Sequence, residues 1–324
     1  MIDSKNDKRK YSETIVLGMN ILVTGGAGFI GSNLSEELLK IGDVKILDDL
    51  SSGNKENVQN SSIEFIEGSV TDLPLLKNIT NDVDFVYHLA AVSNVGLSVV
   101  NPLLANEVNV TGTLNLLLAA KECGVKKVVY TSSAAIYGDT EELPINEKIV
   151  PRPLSPYAST KIMGEYYCNN FTELYDLKTV IIRPFNVFGS RQDPKSQYSA
   201  VIPIFIDKLL KGEEVQITGD GKQTRDFVYI KDFIRANILA LEKDVGGAFN
   251  ISGGSRVSIN KLYWMIAGIL NINREPVYVA DRPGDIKHSY ADISRAERLL
   301  GYKPIYSLEE GLRETVDWFR DYFK

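Results

Sequence analysis

Short β-branched apolar runs alternate with segments of helical periodicity, and this alternation constrains the fold more than any other feature of the sequence. The apolar runs predict strands over residues 21–23, 44–47, 63–66, 85–89, 128–130 and 179–182. The helical patterns cover residues 28–41, 102–121 and 155–175. Strands and helices in this order form right-handed βαβ units, whose parallel sheet is covered by helices on both faces. We therefore predict a Rossmann-type, doubly wound α/β fold.

Composition excludes several classes of partner. Lys and Arg total 36 against 42 Asp and Glu, so the net charge of −6 gives no global reason to bind nucleic acid. No apolar run reaches the roughly 18–20 residues that a membrane-spanning helix needs, and no secretory signal is expected. Cys123 and Cys168 show no metal-ligand spacing, which predicts a reducing, cytoplasmic location and no metal site.

A glycine loop after the first predicted strand points to a dinucleotide. Gly25 allows a tight turn, Gly28 lets the backbone approach a diphosphate, and Gly31 lets the helix pack on the strand. The N–H groups and dipole of the following helix favour phosphate binding. Asp48 ends the next strand, where a carboxylate accepts hydrogen bonds from ribose hydroxyls and repels a 2′-phosphate. The predicted cofactor is therefore NAD rather than NADP.

A second group of residues indicates proton transfer. Tyr157 and Lys161 are four residues apart in a helical pattern and share one face of it. A tyrosine has an ordinary pKa of about 10, but a neighbouring ammonium and an oxidised nicotinamide favour the phenolate. Tyr157 is thus a candidate general base for an alcohol proton, and Ser132 and Ser133, at the preceding strand end, can hydrogen-bond the reacting oxygen. Each pattern also occurs for structural reasons alone, but their joint occurrence with the glycine loop favours an active site.

From Met19 to Phe323 the chain resembles the extended short-chain dehydrogenase/reductase family, and within it the nucleotide-sugar 4-epimerases. The resemblance is carried by Gly25-x-x-Gly28-x-x-Gly31, Leu89-Ala90-Ala91, Asn109, Thr131-Ser132-Ser133-Ala134, Tyr157-x-x-x-Lys161 and Arg183-Pro184-Phe185-Asn186. Segments especially similar to UDP-N-acetylglucosamine 4-epimerases are 189–194 with 200–203, 219–227 and 282–289.

The resemblance implies a role for each matching residue. Tyr157 would be the base, Lys161 would bind the nicotinamide ribose, and Ser133 would hydrogen-bond the sugar O4. The implied cofactor contacts are Gly25, Gly28, Phe29, Ile30, Gly31, Asp48, Ser69, Val70, Leu89, Ala90, Ala91, Asn109, Tyr157 and Lys161. The implied substrate contacts are Ser133, Asn186, Val201, Arg225, Arg282, Asp285 and Ser289, with the two arginines on the UDP diphosphate. One departure is Ser69, which stands where the family often has an acid that contacts adenine.

The implied reaction is NAD-dependent inversion at C4 of a UDP-hexose through a 4-keto intermediate. Ser289 is small at a place where a tyrosine would restrict the sugar pocket, so N-acetylated sugars are expected to fit. Ser133 and Ala134 stand where 4,6-dehydratases carry acids, and decarboxylases carry a Glu at the Ala134 place, which disfavours both. A non-catalytic NAD-sensing module is a further alternative, disfavoured by the intact Ser133, Tyr157 and Lys161. The sequence leaves open dTDP against UDP, and plain, N-acetylated or uronic-acid sugars.

The alternation of predicted strands and helices becomes less regular near Arg183, and loops, glycines and prolines are more frequent after it. The domain organisation is predicted from this change. We predict a tail over residues 1–18, a mainly NAD-binding part over 19–183 and a mainly nucleotide-sugar-binding part over 184–324. Helices 102–121 and 157–175 carry more apolar residues than one core-facing stripe needs. With the family resemblance, they predict a homodimer with a four-helix interface.

Overall fold

A computed structural model describes residues 18–193, 200–280 and 286–322. Its strands are β1 (Met19–Thr24), β2 (Gly42–Asp48), β3 (Ile63–Glu67), β4 (Phe85–His88), β5 (Lys127–Thr131), β6 (Lys178–Pro184), β7 (Val187–Phe188), β8 (Gln216–Thr218), β9 (Thr224–Asp226), β10 (Val228–Tyr229), β11 (Gly247–Ile251), β12 (Arg256–Ser258) and β13 (Val277–Val279). Its α-helices are α1 (Phe29–Leu38), α2 (Leu73–Thr80), α3 (Val95–Val100), α4 (Pro102–Asn106), α5 (Gly112–Glu122), α6 (Pro156–Tyr175), α7 (Val201–Leu210), α8 (Ile230–Glu242), α9 (Ile259–Leu270), α10 (Ser294–Leu300) and α11 (Leu308–Tyr322). In the described part of the chain, no helix combines the length and the apolar character that a membrane span requires.

Seven strands form one parallel sheet in the order β11-β6-β5-β4-β1-β2-β3. The chain winds outward in one direction from β1 to β3 and in the other from β4 to β11, so the direction reverses between β1 and β4. A crevice at the carboxyl ends of the strands is expected at such a reversal, and ligands of open α/β sheets bind there. The predicted doubly wound fold is confirmed.

The alternation of side chains along the strands separates two apolar layers. On β5, Val129 joins one core cluster, whereas Val128 and Tyr130 join the other. Residues of α1 and α8 complete the first cluster, and residues of α2, α5 and α6 complete the second. Both faces of the sheet are therefore buried, which explains why its strands are continuously apolar.

The helix predicted over 102–121 is interrupted. It consists of α4, a π-helical turn over Glu107–Thr111, and α5. The turn carries Asn109, which is buried and hydrogen-bonds the backbone of Val92 in the loop after β4. Apolar periodicity does not reveal such a turn, because it adds one residue to the helix for the sake of a polar contact.

The part of the chain after residue 183 returns to the main sheet. Strand β11 pairs with β6, and α8 packs on the sheet, where Lys127 Nζ donates to the carbonyl oxygens of Ala240, Leu241 and Lys243 at the end of this helix. The remaining short strands form the two-stranded pairs β10-β7, β12-β9 and β13-β8.

Candidate functional site

The glycine loop between β1 and α1 is fixed by close backbone approaches. Gly25 has φ +71°, and its N–H donates to the carbonyl oxygen of Leu47 at 2.8 Å. A Cβ at Gly25 would lie 2.7 Å from the backbone nitrogen of Ala90, and a Cβ at Gly31 would collide with the carbonyl oxygen of Gly25. Both glycines are therefore required by geometry, as the motif predicts.

The surroundings of Gly28 are more open than those of Gly25 and Gly31. A Cβ there would meet only the Gly25 carbonyl oxygen, at 3.3 Å, so its remaining surroundings are open. Helix α1 begins directly afterwards with Phe29 and Ile30, and within the described residues no side chain caps it. The first-turn N–H groups of a helix lie outside its own hydrogen-bond ladder. An open cradle at a helix N-terminus suits a diphosphate, so these residues fit NAD.

Asp48, the last residue of β2, holds two backbone N–H groups with its carboxylate. Its two carboxylate oxygens accept from the N–H groups of Ala27 and Leu50, each at 2.9 Å. Burial raises the pKa of this carboxyl, and the two backbone hydrogen bonds oppose that rise. The residue predicted to bind the adenosine ribose thus also ties the glycine loop to the second strand.

The other predicted cofactor residues follow the neighbouring strand ends. Leu89 and Ala90 donate their N–H groups to the carbonyl oxygen and the hydroxyl of Thr24 at 3.1 and 3.3 Å, and Ala91 comes next. Ser69 Oγ accepts from the Thr71 hydroxyl at 3.0 Å, just after β3, and Val70 is buried beside it.

Asn109 is buried in the π-helical turn between α4 and α5. Its amide accepts from the Val92 N–H at 2.7 Å and donates to the Val92 carbonyl oxygen and to Thr160 Oγ1. It therefore holds the loop after β4 against α6, and its contact with the cofactor stays a prediction.

His88 is a buried group that the sequence reasoning missed. Its Nδ1 lies 2.7 Å from Thr24 Oγ1 and its Nε2 lies 2.9 Å from Thr113 Oγ1. Because the Thr113 hydroxyl donates to the Asn109 carbonyl oxygen, Nε2 carries the proton and Nδ1 accepts from Thr24. Burial, and then the charge of Lys161, lower the pKa of His88 to about 3, so the ring is neutral. A histidine inside a predicted buried strand was the available sequence signal.

The predicted catalytic residues come together between β5 and α6. Ser133 follows β5 and caps a 3₁₀ turn over Ala134–Tyr137 by accepting from the Ala135 N–H at 3.1 Å. Tyr157 lies in the first turn of α6, and its N–H donates to Ser98 Oγ at 3.0 Å. Burial raises the pKa of Tyr157, and a hydrogen bond with Ser133 opposes the rise. The structure thus brings Ser133 close to Tyr157, the predicted general base.

Lys161 lies one helical turn further along α6 and is buried. Its ammonium donates to the carbonyl oxygen of Thr131 at 2.8 Å. Burial lowers the pKa of Lys161 to about 8, although Cys168 and Glu165 act to raise it. The group therefore remains mainly charged at neutral pH, and its effect on the phenol of Tyr157 stays a prediction.

Three predicted substrate residues meet around β9. Asn186 adopts φ +33° and donates from Nδ2 to the Asp226 carbonyl oxygen at 2.7 Å. Arg225 lies between Thr224 and Asp226 on β9, and its Nη1 donates to the Thr224 carbonyl oxygen at 2.9 Å. Ser289 donates its N–H to the same carbonyl oxygen at 3.1 Å.

The predicted substrate residues Arg282 and Asp285 lie outside the described residues. Val201 is the first residue of α7.

Asp226 is a second buried group that the sequence reasoning missed. It accepts from the N–H groups of Gly253 and Ala291 at 3.1 and 3.3 Å, and burial raises its pKa to about 6. These contacts join β9 to two later segments of the chain. The predicted substrate residues are thus brought together around a buried carboxylate that lies inside the 219–227 segment but was given no role from the sequence.

Comparisons with known proteins agree with this geometry. The model of the NAD dependent epimerase/dehydratase family matches residues 21–252. A putative UDP-glucose 4-epimerase of Methanocaldococcus jannaschii is 42% identical over 304 residues, which cover 93% of this chain and 98% of the relative.

Two solved structures are also similar. A UDP-N-acetylglucosamine 4-epimerase from Methanobrevibacter ruminantium, in complex with UDP-N-acetylmuramic acid, has a TM-score of 0.92 at 43% identity, covering 94% of this chain and 99% of the other. A UDP-glucose 4-epimerase from Thermotoga maritima, with UDP-glucose, has a TM-score of 0.91 at 41% identity, covering 94% and 100%.

Proposed function

Because the chain belongs to the NAD-dependent epimerase/dehydratase family, we propose that it inverts C4 of a UDP-hexose through a 4-keto sugar. The observation that carries the proposal is the convergence of three residues: Ser133 directly follows β5, and Tyr157 and Lys161 lie one helical turn apart on α6, where the Lys161 ammonium donates to the carbonyl oxygen of Thr131 at the end of β5. A second supporting feature is Ala134, which stands where a dehydratase or decarboxylase needs an acid.

The protein groups divide the chemistry between them. Bound NAD supplies reversible hydride acceptance, for which the glycine loop and α1 offer the binding cradle. Tyr157 takes the proton of the C4 hydroxyl and returns it to the same oxygen after the 4-keto sugar has turned over and its other face has been reduced at C4. Lys161 favours the phenolate, and Ser133 orients the sugar O4.

The substrate side holds one end of the molecule more firmly than the other. Arg225, together with Arg282, would grip the diphosphate through charge-assisted hydrogen bonds. The hexose then keeps enough freedom to turn over between proton removal and proton return. This division explains why the candidate contacts cluster at the diphosphate and are sparse at the sugar.

Ser289 supports acceptance of N-acetylated sugars. It lies beside Arg225, because its N–H binds the carbonyl oxygen of Thr224 and His288 forms a bridge to Thr224. A small hydroxyl side chain there leaves room for an acetamide at C2. We infer that UDP-N-acetylglucosamine and UDP-N-acetylgalactosamine are substrates beside the plain hexoses.

The test is incubation of the purified protein, without added NAD, with a panel of UDP- and dTDP-sugars that includes a uronic acid. Epimerisation in both directions, followed by proton NMR at C4, is the expected result. Loss of water or carbon dioxide, detected by mass spectrometry, would instead indicate a dehydratase or decarboxylase. Binding of NAD with no turnover of any sugar would indicate a sensing module.

We also propose a homodimer through α4, α5 and α6 in the cytoplasm. Large apolar side chains are exposed along α3, α4 and α6, and Val100 and Leu103 are 79% and 80% exposed. The set comprises Val95, Leu97, Val99, Val100, Leu103, Met163, Tyr166, Leu174 and Tyr175. A patch of this kind marks an interface. Light scattering at micromolar concentration should show a dimer that Leu103→Glu weakens, and a monomeric wild type would contradict the proposal.

A further inference from the structure

A buried ion pair lies directly behind the catalytic residues. Arg183 on β6 donates from Nε and Nη2 to the two carboxylate oxygens of Glu165 on α6, at 2.9 and 2.6 Å. Only 7% and 3% of the two side chains are exposed. A bidentate pair of this kind fixes the relative position of its two elements. Because a buried pair adds little net stability compared with apolar packing, its presence raises the question of what it positions.

The first contact leads from Glu165 to the residue before Ser133. Ser132 Oγ donates to Glu165 Oε1 at 2.5 Å, and the Ser132 N–H donates to the carbonyl oxygen of Ile182 at 2.8 Å. The side chain of Ser132 is thus tied to α6 and its backbone to β6. One side of Ser133 is held by these two bonds.

The second contact leads from Arg183 to the turn after Ser133. Arg183 Nη1 donates to the Tyr137 hydroxyl at 2.7 Å, and this hydroxyl donates to Asn250 Oδ1 on β11 at 2.7 Å. Tyr137 ends the 3₁₀ turn that Ser133 caps, and it is buried. The other side of Ser133 is therefore held by the same ion pair.

We propose that the Glu165–Arg183 pair is the positioning element of the active site: through Ser132 and Tyr137 it holds the Ser133 hydroxyl against Tyr157. The inference rests on the proposed function, since it assigns the pair to the proton transfer. Hydrogen bonds weaken steeply with misalignment, so a small rotation of Ser133 would remove its help to the phenolate. Glu165 and Arg183 act through other residues and do not touch the sugar.

The test removes each contact without changing any charge. Ser132→Ala deletes the hydroxyl that reaches Glu165, and Tyr137→Phe deletes the hydroxyl that Arg183 holds. Each variant is expected to lower kcat about ten-fold, the scale of one misaligned hydrogen bond, while KM stays within two-fold of wild type. Ser132→Thr keeps the hydroxyl and should restore most of kcat.

A titration distinguishes positioning from general damage. The absorbance of tyrosinate at 295 nm is followed against pH for the NAD-loaded protein, and the curve of the matching Tyr157→Phe protein is subtracted. Ser133→Ala should show the full upward shift of the Tyr157 pKa that loss of the Ser133 hydroxyl causes. Ser132→Ala and Tyr137→Phe should each show part of this shift. The control is Thr315→Val, which removes a buried hydroxyl bonded to the Gly311 carbonyl oxygen in α11 and should leave the Tyr157 titration unchanged.

The outcomes separate this inference from the proposed function. If both contact variants keep wild-type kcat and titration, or if Thr315→Val shifts the titration equally, the positioning role is wrong. An absence of any shift in Ser133→Ala would overturn it as well. If the wild type epimerises no sugar, the proposed function fails, but the titration needs no sugar and still decides the positioning role.

Discussion

The predicted cofactor site and the predicted substrate site, called the cofactor side and the substrate side below, are built in different ways. On the cofactor side, the glycine loop, Asp48 and Leu89 all stand at the carboxyl ends of neighbouring strands in one continuous sheet. On the substrate side, Asn186 and Ser289 come from distant segments that meet on the three-residue strand β9.

The difference shows how each side determines its geometry. A parallel sheet places consecutive strand ends side by side, so backbone atoms and glycines suffice to shape the dinucleotide cradle. The substrate side lacks such a frame and depends on specific polar contacts, such as those that Asp226 makes with Gly253 and Ala291. We expect changes on the cofactor side to act on binding and stability, and changes on the substrate side to act on selectivity.

The largest effect is expected where the two sides meet, at Tyr157. Tyr157→Phe keeps the ring and removes the proton acceptor, so the epimerisation rate should fall by about 10²-fold or more. The affinity for UDP, measured by calorimetry, should change little, because Tyr157 lies on α6 and not beside β9. A variant that turns over at nearly the wild-type rate would show that another group is the base.

His88 on the cofactor side offers a stability test, because its ring is buried and neutral. The folded pKa of His88 is about 3 against 6.5 for the free group, so the unfolded chain binds its proton first as the pH falls. The free energy of unfolding should therefore drop as the pH falls from 6.5 towards 3, with about 2 kcal/mol lost by pH 5 at roughly 1.4 kcal/mol for each pH unit.

Urea unfolding at pH 7 and pH 5 measures this loss. His88→Gln should lose less stability between the two pH values than the wild type does. Equal pH dependence in the wild type and in His88→Gln would disprove the neutral buried ring.

Ser289→Tyr tests selectivity on the substrate side. The larger ring would occupy the space of an acetamide group, and overfilling a packed site costs about 1–3 kcal/mol. The variant should lose about ten-fold or more of kcat/KM for UDP-N-acetylglucosamine while it retains most of its turnover of UDP-glucose. Equal loss for both substrates would mean general damage, and unchanged values would mean that Ser289 does not border the sugar.

Asp48 gives the smallest expected effect, and it concerns the cofactor side. Asp48→Ala should weaken NAD binding about ten-fold, since a hydrogen bond to a charged group contributes about 1.5–3 kcal/mol, and should reduce discrimination against NADP. Because the carboxylate also holds Ala27, Asp48→Asn is the matched variant that keeps an acceptor for the loop. An unchanged ratio of NAD to NADP affinity in both variants would place the ribose contact elsewhere.

The features that the sequence could predict are those set by residues that lie close together in the chain. The sheet, the glycine loop and the Tyr157–Lys161 face depend on residues within one helical turn or one βα unit, so local patterns reveal them. Glu165 and Arg183 could not be paired in advance, because each is an ordinary charged residue until α6 and β6 pack together. The π-helical turn that carries Asn109 was missed as well, because apolar periodicity does not mark it and the hydrogen-bond partner of Asn109, Val92, lies in another loop.

The return of β11 to the main sheet has a consequence for how the chain can be made and re-engineered. During synthesis, a nascent chain that ends near residue 183 exposes the edge of β6, and the residues Val180 to Ile182 are wholly buried in the finished protein. Unpaired apolar edges invite pairing between chains, so the newly made protein is vulnerable until β11 emerges from the ribosome. For the same reason, a chimera that exchanges the part after residue 183 between two relatives has to carry a β11 that pairs with its β6, and we expect a graft without this match to aggregate.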